Sequence, residues 1–423
     1  MENILKMKKV KQGYKQTSIG LLPEDWKLSK LKDLILNKGD YGINAAAVNF
    51  DENLPAYIRI TDIDDDGYFI KSKRKSVDQI NSSSFYLEKN NLVFVRTGAS
   101  VGKAYLYDEK DGQLVFAGFL IRFKIDDSKS DPYYLWSFTK TANYWNWVKS
   151  VSTRSGQPGI NSIEYSMLQI PIPPLPEQQK IAAILSTWDE AITKQKHLVE
   201  QTKKRNQGLA QQLLTGKKRL KGFEGDWKFS IVSKVVDRVK NSFIPEQNEL
   251  YQQIGIRSHT KGIFYKEPVS GKELGNKSVF WIESNCFVVN IVFACEHAIA
   301  KTTDNEIGMI ASHRFPMFKP KKDLLDLDYM LNYFKSSKGK DLLGLASPGG
   351  AGRNKTLGQS EFLKLPILLP TLEEQKAISK VIEQANIELQ KREQHLALLQ
   401  NEKKGIMQKL LTGEVRVKLN EIN

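Results

Sequence analysis

A string that occurs twice decides the fold of this chain: Pro173-Pro174-Leu175-Pro176-Glu177-Gln178-Gln179-Lys180, and later Pro370-Thr371-Leu372-Glu373-Glu374-Gln375-Lys376. Each string opens a stretch that closes on Leu-Leu-Thr-Gly, at Gly216 and again 197 residues later at Gly413. Asp-Trp-Lys is also repeated, at residues 25–27 and 226–228. A repeat of this length is domain-sized, which excludes the short repeats of a solenoid. The sequence therefore predicts two similar domains, each followed by a similar helical arm.

The residues that follow each string have the apolar spacing of a coiled-coil seam. The seam positions are Ile181, Leu185, Trp188, Ile192, Leu209 and Leu213 in the first arm, and Ile378, Ile382, Leu389, Leu396, Ile406 and Leu410 in the second. At 1.5 Å per residue such arms span roughly 50 Å, too long for burial within one domain. We therefore expect the arms to pack on each other as an antiparallel coiled coil, with pseudo-two-fold symmetry.

Polar residues interrupt both seams at matching places. Gln195 corresponds to Arg392, and Asn206 corresponds to Lys403, under the same shift of 197 residues. Polar seam residues lower stability but restrict the register of two helices. The alternative, that these are simply imperfect heptads, stays open on the sequence alone.

The chain is basic, with 63 Lys and Arg against 48 Asp and Glu, a net charge of +15 and a pI near 9.4. A protein this basic commonly binds a polyanion, and nucleic acid is the first candidate. A generally basic surface is the alternative. Because no apolar run approaches the ~20 residues of a membrane span, and the first residues lack a signal-peptide core, a cytoplasmic protein without membrane contact is expected.

Each domain is predicted to be a mixed α/β unit of short strands, which makes the fold class α+β. In the first domain the strand candidates are 56–63, 91–97, 104–107 and 119–123, and in the second they are 253–257, 279–282, 286–290 and 315–318. Short helices are predicted at 133–138 and 329–334. A Gly-rich loop follows in both, and its glycines and asparagine align residues 155–161 with residues 348–354.

We find no catalytic constellation in the sequence. The turn Gly98–Ala104 resembles a phosphate-binding loop but lacks one residue between the glycines and has Ala in place of the Ser or Thr that holds Mg²⁺. The two cysteines, Cys286 and Cys295, have no metal-ligand spacing and are expected to be buried free thiols. We therefore predict a non-catalytic protein without a metal.

The duplicated plan resembles the specificity subunit of type I restriction-modification enzymes over nearly the whole chain. The matching pieces are Pro23-Glu24-Asp25-Trp26, the turn from Gly98 to Lys103, residues 171–181 and the Leu-Leu-Thr-Gly helix ends. The second copy departs from the pattern, because Glu224-Gly225 precedes Asp226-Trp227 and Ala294–Lys301 stands opposite the Gly98 turn.

The resemblance implies that two target-recognition domains each read one half of a bipartite site in double-stranded DNA. It further implies that the two long helices set the spacer and dock two modification (methyltransferase) subunits, which use S-adenosylmethionine. Restriction subunits would add translocation and cleavage with ATP and Mg. The implied boundaries are a basic segment (1–19), target-recognition domain 1 (20–176), a central helix (177–216), target-recognition domain 2 (217–372), a C-terminal helix (373–413) and a tail (414–423).

Base and phosphate contacts need Arg, Lys, Asn or Gln on exposed loops. The candidate DNA-binding residues are Arg59, Arg96, Thr97, Lys103, Arg154, Gln157 and Asn161 in the first domain, and Arg257, His259, Lys261, Lys301, His313, Arg314, Arg353, Asn354 and Lys355 in the second. For each of them a solvated surface charge is the alternative. For the whole chain the alternatives are a coiled-coil adaptor that binds only proteins and a stand-alone DNA-modifying enzyme.

Overall fold

The computed structural model describes residues 11–78, 82–154, 156–348 and 355–419. It divides into two compact units: His197–Gln394 form the second unit, and the chain up to Lys196 together with the chain from His395 onward forms the first. Each unit therefore combines one globular domain with half of each arm. The two units are described separately.

The α-helices are α1 (Pro132–Phe138), α2 (Ala142–Ser152), α3 (Ser162–Ser166), α4 (Leu175–Leu214), α5 (Val232–Val235), α6 (Gly271–Leu274), α7 (Leu327–Lys335), α8 (Ser337–Leu345), α9 (Gln359–Lys364) and α10 (Leu372–Leu411). The two predicted arms are thus confirmed as the 40-residue helices α4 and α10. Both end just before a glycine with positive φ, Gly216 and Gly413, as the sequence predicts.

The strands of the first unit are β1 (Tyr14–Thr17), β2 (Gly20–Pro23), β3 (Lys27–Lys30), β4 (Asp40–Tyr41), β5 (Ala47–Asn49), β6 (Ala56–Ile58), β7 (Lys75–Val77), β8 (Asn91–Val95), β9 (Ala104–Leu106), β10 (Leu114–Phe116), β11 (Leu120–Lys124) and β12 (Gln169–Ile172). Those of the second unit are β13 (Lys228–Ile231), β14 (Val236–Val239), β15 (Ser242–Phe243), β16 (Leu250–Tyr251), β17 (Ile254–Ile256), β18 (Ile263–Tyr265), β19 (Val269–Ser270), β20 (Val279–Trp281), β21 (Phe287–Val289), β22 (Ile299–Lys301), β23 (Ile310–Ser312), β24 (Met317–Pro320) and β25 (Pro366–Leu369).

One four-stranded antiparallel sheet has the same order in both units. It runs β4-β11-β8-β9 in the first unit and β14-β24-β21-β22 in the second. Its inner face packs on the short helices and on the arm residues through the large core cluster of each unit. The strand before each domain also pairs with the strand before the next arm, as β3 with β12 and β13 with β25.

The remaining strands differ between the units, so the duplication does not extend to the whole domain. The first unit adds the sheet β10-β6-β7-β5 and the pair β1-β2, whereas the second adds β15-β20-β23 and two pairs, β16-β19 and β17-β18. The predicted strand at 56–63 is shorter than expected. It ends at Ile58 because Arg59 and Asp62 bond to each other and fold the next residues into a 3-10 turn.

A buried carboxylate organises the start of the first arm. Glu177, in the first turn of α4, is 1% exposed. It accepts hydrogen bonds from Trp26 Nε1 (3.3 Å) and from Arg416 Nε and an Arg416 terminal nitrogen (2.6 and 2.7 Å). Arg416 also pairs with Asp25 at 2.8 Å. Within the first unit, the residues after the second arm therefore contact the beginning of the first arm.

The second unit repeats this arrangement with the residues that follow the first arm. Glu374 accepts hydrogen bonds from Trp227 Nε1 (3.2 Å) and from both Nε and a terminal nitrogen of Arg219 (2.7 and 2.8 Å). The next residue is also used alike, since Gln178 and Gln375 each accept a backbone N–H, from Asp131 and Asp326, at the start of α1 and α7. These contacts explain why Trp, Glu and Gln recur in the sequence.

Polar contacts between the arms fix their register, as the interrupted seams predict. In the second unit Asn206 Nδ2 donates to the Ala385 carbonyl oxygen (2.6 Å), and Arg205 pairs with Glu388. In the first unit Lys403 pairs with Asp189 at 2.5 Å, and both side chains are mostly buried. In the second unit the partner number falls from Glu388 to Ala385 as the number along the first arm rises from Arg205 to Asn206, so the helices run antiparallel there.

A second lysine is enclosed beside the Asp189–Lys403 pair. Lys140 Nζ lies 3.2 Å from the centroid of the Trp136 ring and 5.0 Å from that of Tyr68. Burial lowers the pKa of Lys140 to about 7, and the charge of Lys403 acts in the same direction, whereas Asp189, Asp66 and Asp64 oppose it. The rings provide a cation–π surface that offsets part of the lost hydration.

We expect replacement of Arg416 by Ala to destabilise the first unit, because it leaves the buried Glu177 carboxylate with Trp26 Nε1 as its only side-chain partner among the described residues. Breaking a fully buried pair costs ~3–5 kcal/mol, and the 40% exposure of the Arg416 side chain lowers our expectation to about 2 kcal/mol. Urea unfolding of Arg416→Ala, Arg219→Ala and the control Lys418→Ala tests this. Equal losses in Arg416→Ala and Lys418→Ala would contradict the assignment, and Arg219→Ala should destabilise the second unit.

The depressed pKa of Lys140 predicts a pH-dependent stability. Below about pH 7 both the folded and the unfolded chain carry the proton, and folding bears the full cost of burying the ammonium. Between about pH 7 and the ordinary lysine pKa only the unfolded chain keeps it, so stability rises with pH, by at most ~1.4 kcal/mol per unit. The free energy of unfolding, measured from pH 7 to pH 9, should rise in wild type and should not rise in this way in Lys140→Met. Lys149→Met, which replaces an exposed lysine, is the control and should show the same rise as wild type. An equal dependence of stability on pH in wild type and Lys140→Met would refute the prediction.

Candidate nucleic-acid interface

In the first unit, the loop after β8 and the Gly-rich loop before α3 form one surface. Thr97 forms a β-bridge with Gly159, and its hydroxyl donates to the Pro158 carbonyl oxygen (3.3 Å). The Ile160 N–H donates to the Arg96 carbonyl oxygen at 2.8 Å. Arg96, Thr97 and the exposed Gln157 are therefore brought together, as candidates for contact with one ligand.

Arg96 differs from most arginines of the first unit in its charge environment. Its guanidinium lies 4.7 Å from the centroid of the Tyr41 ring and donates to the Gly118 carbonyl oxygen at 3.5 Å. Among the described arginines of this unit, only Arg96 and Arg74 form no ion pair with a carboxylate. A half-buried, planar cation without a carboxylate partner among the described residues is suited to a phosphate or a base edge.

Two neighbours on the same surface have structural partners. Arg154 pairs with Glu164 at 2.5 Å. Asn161 caps α3, where its side chain accepts the Glu164 N–H (2.9 Å) and Glu164 in turn accepts the Asn161 N–H. This capping box satisfies backbone donors at the helix start, which gives the loop a fixed end.

The other two candidates of the first unit are held by carboxylates elsewhere. Arg59 makes two hydrogen bonds of 2.8 Å to the fully buried Asp62, and this contact raises the pKa of Arg59. Lys103 pairs with Asp65 at 2.6 Å and lines a cleft of about 930 Å³ that also contains Lys140 and Asp189. The structure does not bring these two side chains to the Arg96 surface, and their binding to DNA stays a prediction.

In the second unit, the loop after β17 lies against the loop after β21. The His259 N–H donates to the Glu296 carbonyl oxygen (2.7 Å), and the Thr260 N–H donates to that of His297 (3.0 Å). Both His259 and His297 have positive φ. Burial is the main cause that lowers the pKa of His297, and the neighbouring Lys340 and His259 act in the same direction, which favours the neutral form of His297. The exposed Lys261 belongs to the same loop.

A second group of candidates surrounds Ile291. The Ile291 N–H donates to the Arg314 carbonyl oxygen (3.0 Å), and the Leu357 N–H donates to the Ile291 carbonyl oxygen (2.8 Å). The exposed His313, Arg314 and Lys355 are brought to this place by the same contacts. Arg257 lies 4.9 Å from the Phe264 ring centroid, and Lys301 pairs with Asp328. Arg353 and Asn354 lie outside the described residues.

The alignment of the two Gly-rich loops by their glycines needs a correction. Leu357 makes the backbone contact to Ile291 that Ile160 makes to Arg96, and the next residue caps the following helix in each case. Gly358 therefore takes the place of Asn161, four residues beyond Asn354. The two loops share glycines, but their register is set by strand pairing, which the sequence does not display.

Most seam residues of the arms pack against other residues of this chain. Seven of the twelve are buried, namely Ile181, Leu185, Ile192, Leu213, Ile378, Ile382 and Leu410. The partly exposed ones are Trp188, Leu209, Leu389, Leu396 and Ile406. Docking of a partner on these positions stays a prediction, and only the second set keeps surface for it.

Within the described residues, no group of three or more His, Cys, Asp and Glu side chains could hold a metal ion. Cys286 is buried, as predicted, and Cys295 is only partly buried; both are free thiols. Of the helices in the described ranges, none combines the length and apolar character that crossing a membrane requires.

Several known proteins are similar to this chain over most of its length. A relative from Methanocaldococcus jannaschii with the name MjaX specificity subunit is 27% identical over 435 residues, covering 96% of this chain and 97% of its own. The type I restriction enzyme MjaVIII specificity subunit of the same organism is 24% identical over 424 residues and covers 94% of both.

Solved structures show the same fold. A chain from a study of complex assembly and conformational transition of the type I R-M system has a TM-score of 0.56 at 15% identity, covering 93% of this chain and 99% of its own. The type I restriction-modification S subunit of M. genitalium has a TM-score of 0.54 at 14% identity, with coverage of 91% and 96%.

The family profile described as type I restriction modification DNA specificity domain matches twice, at residues 23–201 and 224–398. The two matches together span most of the chain and coincide with the duplicated frame of Trp, Glu and Gln. This chain therefore belongs to the type I restriction-modification DNA specificity family.

Proposed function

We propose that this chain is the DNA-specificity subunit of a type I restriction-modification complex, that it is not itself catalytic, and that it works in the cytoplasm. Each domain reads one half of a bipartite site in double-stranded DNA. The observation that carries this proposal is the double match of the family profile, one match for each domain. In each domain the shared sheet ends in loops with arginines that have no carboxylate partner among the described residues.

The two domains are built to read different half-sites. They share the sheet order, the strand pair before each arm and the buried contacts of Glu177 and Glu374. They differ in the added strands and in the loop side chains at the equivalent positions 96 and 291 and 119 and 314. Because base identity is read by side chains on groove-facing loops, a common frame with different loops gives two specificities.

The arms set the distance between the half-sites and dock two modification subunits. S-adenosylmethionine would be used by those subunits, and ATP and Mg by restriction subunits. The buried seam residues hold the arms together, so docking falls to exposed apolar positions beside the seam. Leu398 is exposed in the first unit, near a shallow groove lined by Trp188, Ile406 and Lys409, and Leu198 is exposed in the second.

Methylation mapping of host DNA with and without this gene tests the function, and domain exchange refines it. We expect a bipartite methylated sequence that disappears with the gene. Exchanging residues 20–176 for the corresponding domain of a relative should change one half of that sequence, and exchanging residues 217–372 should change the other half. The proposal fails if no methylated sequence depends on the gene, and independent reading fails if either exchange alters both halves.

If the arms set the distance between the half-sites, a change in their length should change the DNA spacer. Four residues inserted after Lys196 and four inserted after Gln394 lengthen both helices by ~6 Å at the boundary between the compact units. Since base pairs are stacked ~3.4 Å apart, the preferred spacer should grow by roughly two base pairs. Methylation mapping of the double insertion measures this, with four residues added after Asn423 as the control. A folded, methylating complex with an unchanged spacer would count against the arms as the ruler.

A further inference from the structure

Backbone hydrogen bonds identify equivalent positions in the two domains. The Val95 N–H donates to the Lys103 carbonyl oxygen, as the Asn290 N–H donates to that of Ala298. The Arg96 N–H donates to Phe119, as the Ile291 N–H donates to Arg314. The left-handed positions Gly102 and His297 also coincide. All these pairs share a constant shift of 195 residues, so the correspondence does not depend on side-chain similarity.

At one equivalent place the two domains carry reversed chemistry. The first domain has Arg96 after β8 and Phe119 before β11. The second domain has Ile291 after β21 and Arg314 before β24. A cation and an apolar residue thus face each other across the same strand pair, with their order along the chain exchanged.

Neither arginine is used to neutralise a carboxylate of its own unit among the described residues. Arg96 is spread over the Tyr41 ring, which limits its rotamers without satisfying its charge. Phe119 beside it is 56% exposed, an unusual position for a phenyl ring. Arg314 is exposed as well, and Ile291 is half-buried against the core of the second unit. Stability alone does not account for this combination of an exposed ring and an uncompensated guanidinium.

We propose that these two positions are a specificity-determining pair in each domain: Arg96 with Phe119, and Ile291 with Arg314. This inference rests on the proposed DNA-reading function. The arginine contacts guanine through its two parallel N–H groups, and the apolar partner contacts a neighbouring thymine methyl group. Because the order is reversed between the domains, the guanine contact comes from Arg96, after the end of β8, in the first domain. In the second domain it comes from Arg314, before the start of β24.

The decisive variants separate base reading from charge. Arg96→Lys keeps the positive charge but loses the planar fork, so it preserves a phosphate contact and removes a bidentate base contact. Arg96→Ala removes both. Arg74→Ala is the matched control, because Arg74 is the other arginine of the unit without an ion pair and instead donates to the Asp111 carbonyl oxygen. Arg314→Lys and Arg314→Ala repeat the comparison in the second domain.

The measurement uses the full chain in the complex purified from its host, with duplexes carrying randomised half-sites as the probe. Arg96→Lys and Arg96→Ala should each weaken binding to the sequence that wild type selects by roughly 5- to 100-fold and relax the preference at one base pair of one half-site. The Arg314 variants should act on the other half-site. The double variant Arg96→Ile with Phe119→Arg should select a new base at that position. Melting temperatures of all variants identify any that are misfolded.

The outcomes distinguish this inference from the function it rests on. If wild type selects no sequence, the proposed function fails. If wild type selects a sequence and both Arg96 variants keep it with unchanged affinity, the pair is structural and the inference is overturned. It is also overturned if Arg96→Lys behaves as wild type while Arg96→Ala weakens all sequences alike and lowers the salt slope by about one, which identifies a phosphate contact. The inference further requires that Arg74→Ala leave the selected sequence unchanged, and a folded Arg74→Ala that relaxes the same base pair would count against it.

Discussion

The structure depends on a carboxylate buried in the first turn of each arm. Glu177 and Glu374 are each about 1% exposed and are each bound by one arginine and one tryptophan. The arginine comes from the segment after the other arm, and the tryptophan is the residue just before the strand that opens the domain, β3 or β13. A buried carboxylate is tolerated only with such partners. Each contact therefore ties three distant parts of the chain to one point, and it explains why both ends of the chain belong to the first unit.

Much of this frame could be predicted from the sequence because its parts are local or repeated. The 3-4 spacing of Ile181 to Leu213 and of Ile378 to Leu410 specifies the two helices, and the glycines at 216 and 413 specify their ends. The polar seam positions Asn206 and Lys403 were expected to restrict register, and each makes a contact to the opposite arm. The repeated Asp-Trp is visible in the sequence, but the arginine that shares its carboxylate partner is not. Arg219 and Arg416 share the spacing of 197 residues with Glu177 and Glu374, and that shared spacing was the signal that could have identified them.

The candidate site was harder to predict, because residue type says nothing about partners. Arg59, Arg96 and Arg154 looked equivalent as basic loop residues, yet two of them are held by Asp62 and Glu164 and only Arg96 is not. Phe119 was missed altogether, since an exposed phenylalanine looks like a strand residue until the strand is seen to begin at Leu120. The composition of the Gly-rich loops pairs Asn161 with Asn354, whereas the contact of Leu357 with Ile291 pairs Asn161 with Gly358, four residues further on.

The division between frame and loops has an energetic consequence. The carboxylates Glu177 and Glu374 are buried and charge-compensated, so removing the arginine partner destabilises the frame, by about 2 kcal/mol in the case of Arg416. At the edge of the shared sheet Phe119 and Arg314 are exposed, whereas Arg96 and Ile291 are half-buried. None of these side chains forms a buried ion pair among the described residues, and the same backbone position carries an arginine in one domain and an isoleucine in the other. A chain of this design can change what its loops present without losing its fold. The reversed pairs at 96 and 119 and at 291 and 314 are the point where that freedom has been used, since the backbone there is the same and the chemistry is not.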